Sequence, residues 1–310
     1  MFKALVATSA LLAALALQAQ VKPSAKAPPD TKVITSFDPD HTVIGWLEVF
    51  PFESKILHNT RTIRVLLPAN YLSPHNAYRY YPVLYMQDGQ QLFDKTISPD
   101  GEWHMDETVE HLVGSFKIPP MLIVGIDNAG EQRAAEYLPY PDPRNHKDKV
   151  ADEKSVHGKE YARFLLTELM PFIEKHYRVA RGSLNTGLGG SSYGADIALY
   201  IALEHAGAFG HVLAESPPLG IGDEQLLKDA EKARLLPRKM YIGIGTNEAP
   251  YGDPKQSAPA VEQVQELEKI LRKKGMSAAR LKLEVTEGGQ HNVQAWSQRL
   301  PDALLFLYGK

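Results

Sequence analysis

Residues 190–194 read Gly-Ser-Ser-Tyr-Gly, and only Ser192 has glycine at both positions two residues away. A hydroxyl there can attack a carbonyl if the chain turns sharply at the serine, and bulky residues on either side would collide with the turning backbone. The following stretch, Ala195 to Leu203, is small, apolar and helix-forming. A helix starting just beyond Ser192 aims amide groups and partial positive charge at an oxyanion. Such a nucleophile needs a base, and the base needs an acid to orient it. Glu248 follows the apolar run MYIGIGTN and His291 follows LKLEVTEGGQ, where a strand gives way to a Gly-Gly turn. Serine, acid and histidine thus arise in that order at the ends of strand-like segments, as a serine hydrolase requires. An imidazole with a pKa of about 6.5 takes the serine proton and returns it to a leaving alcohol. A carboxylate holds the right tautomer and stabilises the imidazolium. Asp253, in APYGDP, competes with Glu248 for that role. A lone GxSxG also occurs in ordinary Gly/Ser-rich loops, and Leu184 to Gly189, just upstream, is a poor strand by propensity.

A second oxyanion donor is expected from the loop after an earlier strand. Asp88-Gly89-Gln90-Gln91 follows PVLYMQ, and Gly89 lets backbone approach a ligand closely. The backbone amides of Gln90 and Tyr193 are therefore the expected pair, with Asp88 stabilising the turn. Gln87, Asp88, Trp103 and Arg133 are candidate substrate contacts, as are Glu136 and Tyr137. Ion pairs and core packing are the ordinary roles of such residues. The 11 histidines show no HExxH and no close pair, so neither metal nor cofactor is expected.

These residues must be positioned by a scaffold. Short, nearly continuous apolar runs at 81–88, 120–127, 211–216 and 239–246 predict central parallel strands, and the alternation at Ile63, Val65 and Leu67 predicts an earlier half-buried one. Tyr161, Phe164, Leu165, Leu169, Phe172 and Ile173 share a helical face, although Pro171 must kink or break that helix. Val261, Val264, Leu267 and Leu271 form another such face, ending at Gly275. Strands alternating with helices predict an α/β fold: a mostly parallel sheet covered on both faces, with its site outside the carboxyl ends of the strands.

The chain has 310 residues and no cysteine, which excludes a thiolate nucleophile, disulfides, cysteine-ligated metals and a lipoprotein anchor. A formal charge of -3 argues against holding nucleic acid by bulk attraction. Residues 1–19 combine Lys3 with an acid-free apolar stretch and small residues, the pattern of a signal peptide. The run is too short for comfortable membrane spanning. Export to a periplasm or the medium is the expectation, with 20–36 a flexible lead-in and 37–310 a single domain. Oligomeric state is not legible from composition or charge.

The segments YPVLYMQDGQQLFD, IVGIDNAGEQRAAEYLPY, GGSSYGADIALYIAL, YIGIGTNE and EGGQHNVQAWSQRLPDALLFLYG resemble, in this order, those of the putative-esterase family. That family includes enterobactin, feruloyl and acetylxylan esterases and mycolyltransferases. The resemblance runs from about Thr60 to Tyr308. It implies the α/β-hydrolase fold, Ser192 as nucleophile, His291 as base, Glu248 as acid, and the Gln90 and Tyr193 amides as oxyanion hole. Many relatives carry His where Gln87 stands, and Met-Gly-Gly where this chain has Tyr193-Gly194-Ala195. These departures bear on the acyl pocket rather than the nucleophile. The leading expectation is an exported serine carboxylesterase acting on a small-molecule or carbohydrate-linked ester, such as a phenolic-acid ester or a siderophore trilactone. Acyl transfer on the same fold is the close rival, and a non-catalytic binding module is the more distant one.

Overall fold

A computed structural model describes residues 27–145, 147–249 and 254–309. The expected signal peptide and the competing acid Asp253 lie outside the described residues.

Among the described residues, nine strands form one sheet in the order β1-β2-β3-β5-β4-β6-β7-β8-β9. They are β1 (Lys32–Thr35), β2 (Trp46–Ser54), β3 (Asn59–Leu67), β4 (Val83–Gln87), β5 (Leu122–Ile126), β6 (Thr186–Ser191), β7 (His211–Glu215), β8 (Lys239–Asn247) and β9 (Leu281–Gln290). From β5 through β9 every pairing is parallel, whereas β1, β2 and β3 form an antiparallel edge that joins β5 antiparallel. The expected flexible lead-in is therefore shorter than 20–36, because Lys32–Thr35 is paired with β2.

The helices are α1 (Met105–Gly114), α2 (Arg133–Tyr137), α3 (Gly158–Phe164), α4 (Met170–His176), α5 (Tyr193–Glu204), α6 (Gln225–Lys232), α7 (Pro254–Lys273) and α8 (Val293–Tyr308). Alternation along β7 shows how the sheet is sandwiched. Val212 and Ala214 pack with Leu199 of α5, Leu226 of α6 and Val264 of α7, while Leu213 packs with Trp296 and Leu300 of α8 on the other face. The fold class is α/β, with helices on both faces of a mostly parallel sheet. Among the described residues, no helix is long and apolar enough to cross a membrane.

Two local features settle conflicts within the sequence. Pro171 falls at the start of α4, separated from α3 by a π-helical turn over Leu165–Leu169. The helix runs on without a gap from Gly158 to His176, and the π-helical turn is the local irregularity beside which the proline is accommodated, so the apolar face continues past it. The glycine-rich segment before Ser192 is a strand after all, buried along its whole length. A Cβ at Gly189 would lie 2.8 Å from Met86 Sδ, and one at Gly190 2.6 Å from the Gly194 carbonyl oxygen. Close approach of neighbouring backbone demands glycine where propensity disfavours it.

Candidate active site

Ser192 stands between β6 and α5 with φ 55° and ψ -130°, the strained left-handed turn that the two glycines permit. Its amide donates to Glu215 O at 2.8 Å, and its carbonyl accepts from Ala195 N at 2.8 Å and Asp196 N at 3.1 Å. These bonds tie the elbow to the end of β7 below and to the first turn of α5 above.

Glu248 directly follows β8 and His291 directly follows β9, strands that pair along their length. His291 Nδ1 lies 2.7 Å from Glu248 Oε2. An ionised carboxylate only accepts hydrogen bonds, so Nδ1 carries a proton, and in the neutral imidazole the free lone pair is then on Nε2. Glu248 Oε1 accepts from the Gly245 amide at 2.6 Å and from Ser216 Oγ at 2.8 Å, while Trp296 Nε1 donates to Ser216 Oγ at 2.9 Å. Burial pushes the Glu248 carboxyl up, but the bonds from His291, Gly245 and Ser216 outweigh it and hold its pKa below the ordinary carboxylate value. Contrary to the expected turn, Gly288 and Gly289 belong to β9. A side chain at Gly245 would run into the Gly289 backbone, so these glycines bring β8 and β9 close enough for Glu248 to meet His291. Ser192, Glu248 and His291 line one cleft of about 940 Å³. Among the described residues the Ser192 hydroxyl makes no bond to His291, a contact that commonly tightens only when substrate binds.

Asp88 directly follows β4 in a left-handed conformation, φ 55°, and a 3₁₀ turn carries Gly89–Gln91. A Cβ at Gly89 would lie 2.6 Å from the Gly125 carbonyl carbon, so only glycine lets this loop sit against β5. Neither the Gln90 nor the Tyr193 amide is used by a turn or cap bond among the described residues. The Asp88 carboxylate accepts two bonds from Arg133, both at 2.7 Å, and one from Asn128 Nδ2 at 2.7 Å.

A model of the family described as putative esterase matches residues 54–307. The chain belongs to the putative esterase family. It is 25% identical over 254 residues to the uncharacterized protein YbbA of Bacillus subtilis strain 168, covering 81% of this chain and 93% of that one. A ferulic acid esterase of family CE1 from Anaeromyces mucronatus superposes with a TM-score of 0.62 at 20% identity, covering 92% of this chain and 95% of that chain. The Shigella flexneri enterobactin esterase superposes with a TM-score of 0.61 at 17% identity, covering 93% and 62%. Both share the fold of this esterase, an ester-hydrolysing enzyme by family.

The six candidate contacts of the esterase have other partners in the structure. Trp103 is 1% exposed and packs against Trp296 with ring centroids 6.0 Å apart, so it is a core residue and not a substrate contact. Gln87, 2% exposed, lies beneath the elbow against Gly190 and Gly194, and its Oε1 accepts from Tyr161. Asp88 and Arg133 are committed to each other, with Arg133 also stacked over Tyr137 and Tyr193. Glu136 pairs with buried Arg61 at 2.9 Å, and Tyr137 is wholly buried, its hydroxyl accepting from the Asp88 amide at 3.2 Å.

Several supporting residues have no motif to announce them. Ser216 and Trp296 brace Glu248, as described. Beneath the elbow, Glu215 pairs with Arg299 at 2.6 Å with both side chains buried. Burial pushes the Glu215 carboxyl up to about 7 against the opposing pull of Arg299. The Tyr193 hydroxyl donates to Asp148 Oδ2 at 2.8 Å and accepts from Asn145 at 3.0 Å, pinning the loop that brings Lys147 to the cleft.

Proposed function

We propose that this esterase is exported and cleaves carboxylic esters through an acyl-enzyme on Ser192. His291 removes the Ser192 proton as the hydroxyl attacks the ester carbonyl, and Glu248 stabilises the imidazolium. The amides of Gln90 and Tyr193 hold the oxyanion. His291 then protonates the departing alcohol, and water, activated by the same imidazole, releases the acid. The observation that carries this reading is the His291–Glu248 pair in one cleft with an elbow serine at φ 55°. Export rests on the pattern of residues 1–19.

The cleft walls present Lys147, Asn247, Gln256, Gln290 and Asn292 beside Pro217, Pro218 and Ile244. Such walls suit an ester with hydroxyls on its acyl or alcohol part, such as a phenolic-acid ester of a carbohydrate or a catecholate trilactone. The relatives crystallised with ferulic acid and with enterobactin favour the same substrate class. Purified Ser192→Ala should hydrolyse p-nitrophenyl acetate at least roughly 10⁴-fold more slowly than wild type. Equal rates would overturn the mechanism. Glu248→Gln should cost far more activity than Asp253→Asn, and the reverse order would move the acid to Asp253. Feruloyl, acetyl and trilactone esters tested side by side then rank the substrate.

A further inference from the structure

The segment Glu102-Trp103-His104-Met105-Asp106-Glu107 leads into and begins α1. The Glu102 side chain is 2% exposed, and its Oε2 accepts from Thr42 Oγ1 at 3.3 Å. Its Oε1 is buried with no hydrogen-bond partner and lies 3.8 Å from His104 Nδ1. His104 Nδ1 is 3.3 Å from Glu107 Oε1, and one donor atom from each of the three residues lies within 4.8 Å of the others. Glu107 also hydrogen-bonds the neighbouring Asp106 carboxyl, so the buried oxygen left without a partner is that of Glu102. Asp94 and Asp106 add two more buried acidic side chains. Among the described residues, histidine is the only basic side chain paired with any of these four acids. The start of α1 accounts for Asp106 and Glu107, since a helix N-terminus attracts carboxylates. It does not account for Glu102, which precedes the helix and leaves a buried oxygen unsatisfied, an arrangement that folded proteins avoid.

We propose that Glu102, His104 and Glu107 bind a divalent first-row cation, with Zn²⁺ the best match. One imidazole and two carboxylates are a borderline nitrogen and oxygen donor set, and three protein ligands leave the fourth tetrahedral position to water. His104 and Glu107 are 53% and 37% exposed, which provides an entry path. Between and beside the ligands, the Trp103 amide donates to Gln91 O at 2.8 Å and the Met105 amide to Leu92 O at 3.0 Å. The ion would therefore brace a segment whose backbone is already hydrogen-bonded to the loop that carries Gln90. The spacing, Glu-x-His-x-x-Glu, lacks the paired histidines by which zinc sites are usually found in sequence.

The test is calorimetric titration of EDTA-treated full-length protein with ZnCl₂, alongside its thermal midpoint. His291 and Glu248 can also take zinc, so the readout is the difference between wild type and variants. Wild type should bind one more equivalent than His104→Ala or Glu107→Gln. With zinc a hundredfold above Kd its Tm should rise by about 5 °C, a rise that both variants lack. Both positions are partly exposed, so the metal-free variants should melt within about 2 °C of wild type. Glu102→Gln tests the buried ligand, and the two exposed variants decide the matter if it fails to fold. Equal stoichiometry and equal Tm shifts in wild type and both exposed variants would overturn the site. A response to CaCl₂ but not to ZnCl₂ or MnCl₂ would overturn the choice of metal class.

Discussion

Arg133 offers a sharp test, because a substrate contact and a loop clamp respond differently to its removal. Its guanidinium makes two bonds of 2.7 Å to Asp88, a carboxylate only 2% exposed. Removing one member of a buried ion pair costs about 3–5 kcal/mol, chiefly because the other charge is left unpaired. Asn128 still donates to Asp88 at 2.7 Å and the Arg133 side chain is 27% exposed, so Arg133→Met belongs at the low end, about 3 kcal/mol. In a protein of this size that lowers Tm by roughly 6–12 °C. Asp88 directly precedes the turn carrying Gln90, so release of its carboxylate lets the expected oxyanion amide drift. The kcat for p-nitrophenyl acetate should fall roughly 10–100-fold with KM nearly unchanged. Arg133→Lys, a point charge without the planar fork, should recover only part of either loss. The double variant Asp88→Asn/Arg133→Met should be more stable than the sum of the singles, since it buries no unpaired charge. An unchanged Tm with a raised KM would refute the clamp and make Arg133 a substrate contact.

Ser216→Ala removes one of the two donors to Glu248 Oε1 and leaves the Gly245 amide, so kcat should drop about fivefold while KM holds, as steady-state kinetics can show. Glu215 has an ordinary value of 4.5 raised to about 7 in the fold. Between those limits the folded state retains a proton that the unfolded chain has released, so this group makes stability fall as pH rises from 4.5 towards 7. Urea denaturation across that window should show the slope in wild type and a flatter one in Glu215→Gln, although unpairing Arg299 lowers stability throughout. Gly190→Ala places a methyl 2.6 Å from the Gly194 carbonyl oxygen and 3.0 Å from Gln87 Cβ, at a cost of about 3 kcal/mol in a thermal melt. Gly207→Ala, with nothing within 4 Å, should be neutral.

The catalytic candidates were legible in sequence because each stands where an apolar strand-like run ends, and in an α/β fold the strand ends gather at one edge of the sheet. Chain order and residue type were enough to single out Ser192, Glu248 and His291. The strands were legible for the same reason, since β4, β5, β7 and β8 are buried on both faces and read as continuous apolar runs. β6 was not. Its glycines satisfy Met86 and the Gly194 carbonyl, neighbours that a local reading of propensity does not contain.

The residues that steady the site escaped for a related reason. Arg133 meets Asp88 across 45 positions, Trp296 meets Ser216 across 80 and Arg299 meets Glu215 across 84. No window along the chain holds both partners. Trp103 and Gln87 looked like substrate contacts because a loop aromatic or amide can face either way, and the packing against Trp296 and Tyr161 turns both inward. Sequence alone thus determined the fold class and the order in which the candidate nucleophile, acid and base emerge, because hydrophobic period and glycine placement are local properties. The tertiary structure alone decided which charges are paired, which polar groups face the cleft and which glycines are obligatory. Those depend on burial and on partners that only the closed sheet brings within bonding distance.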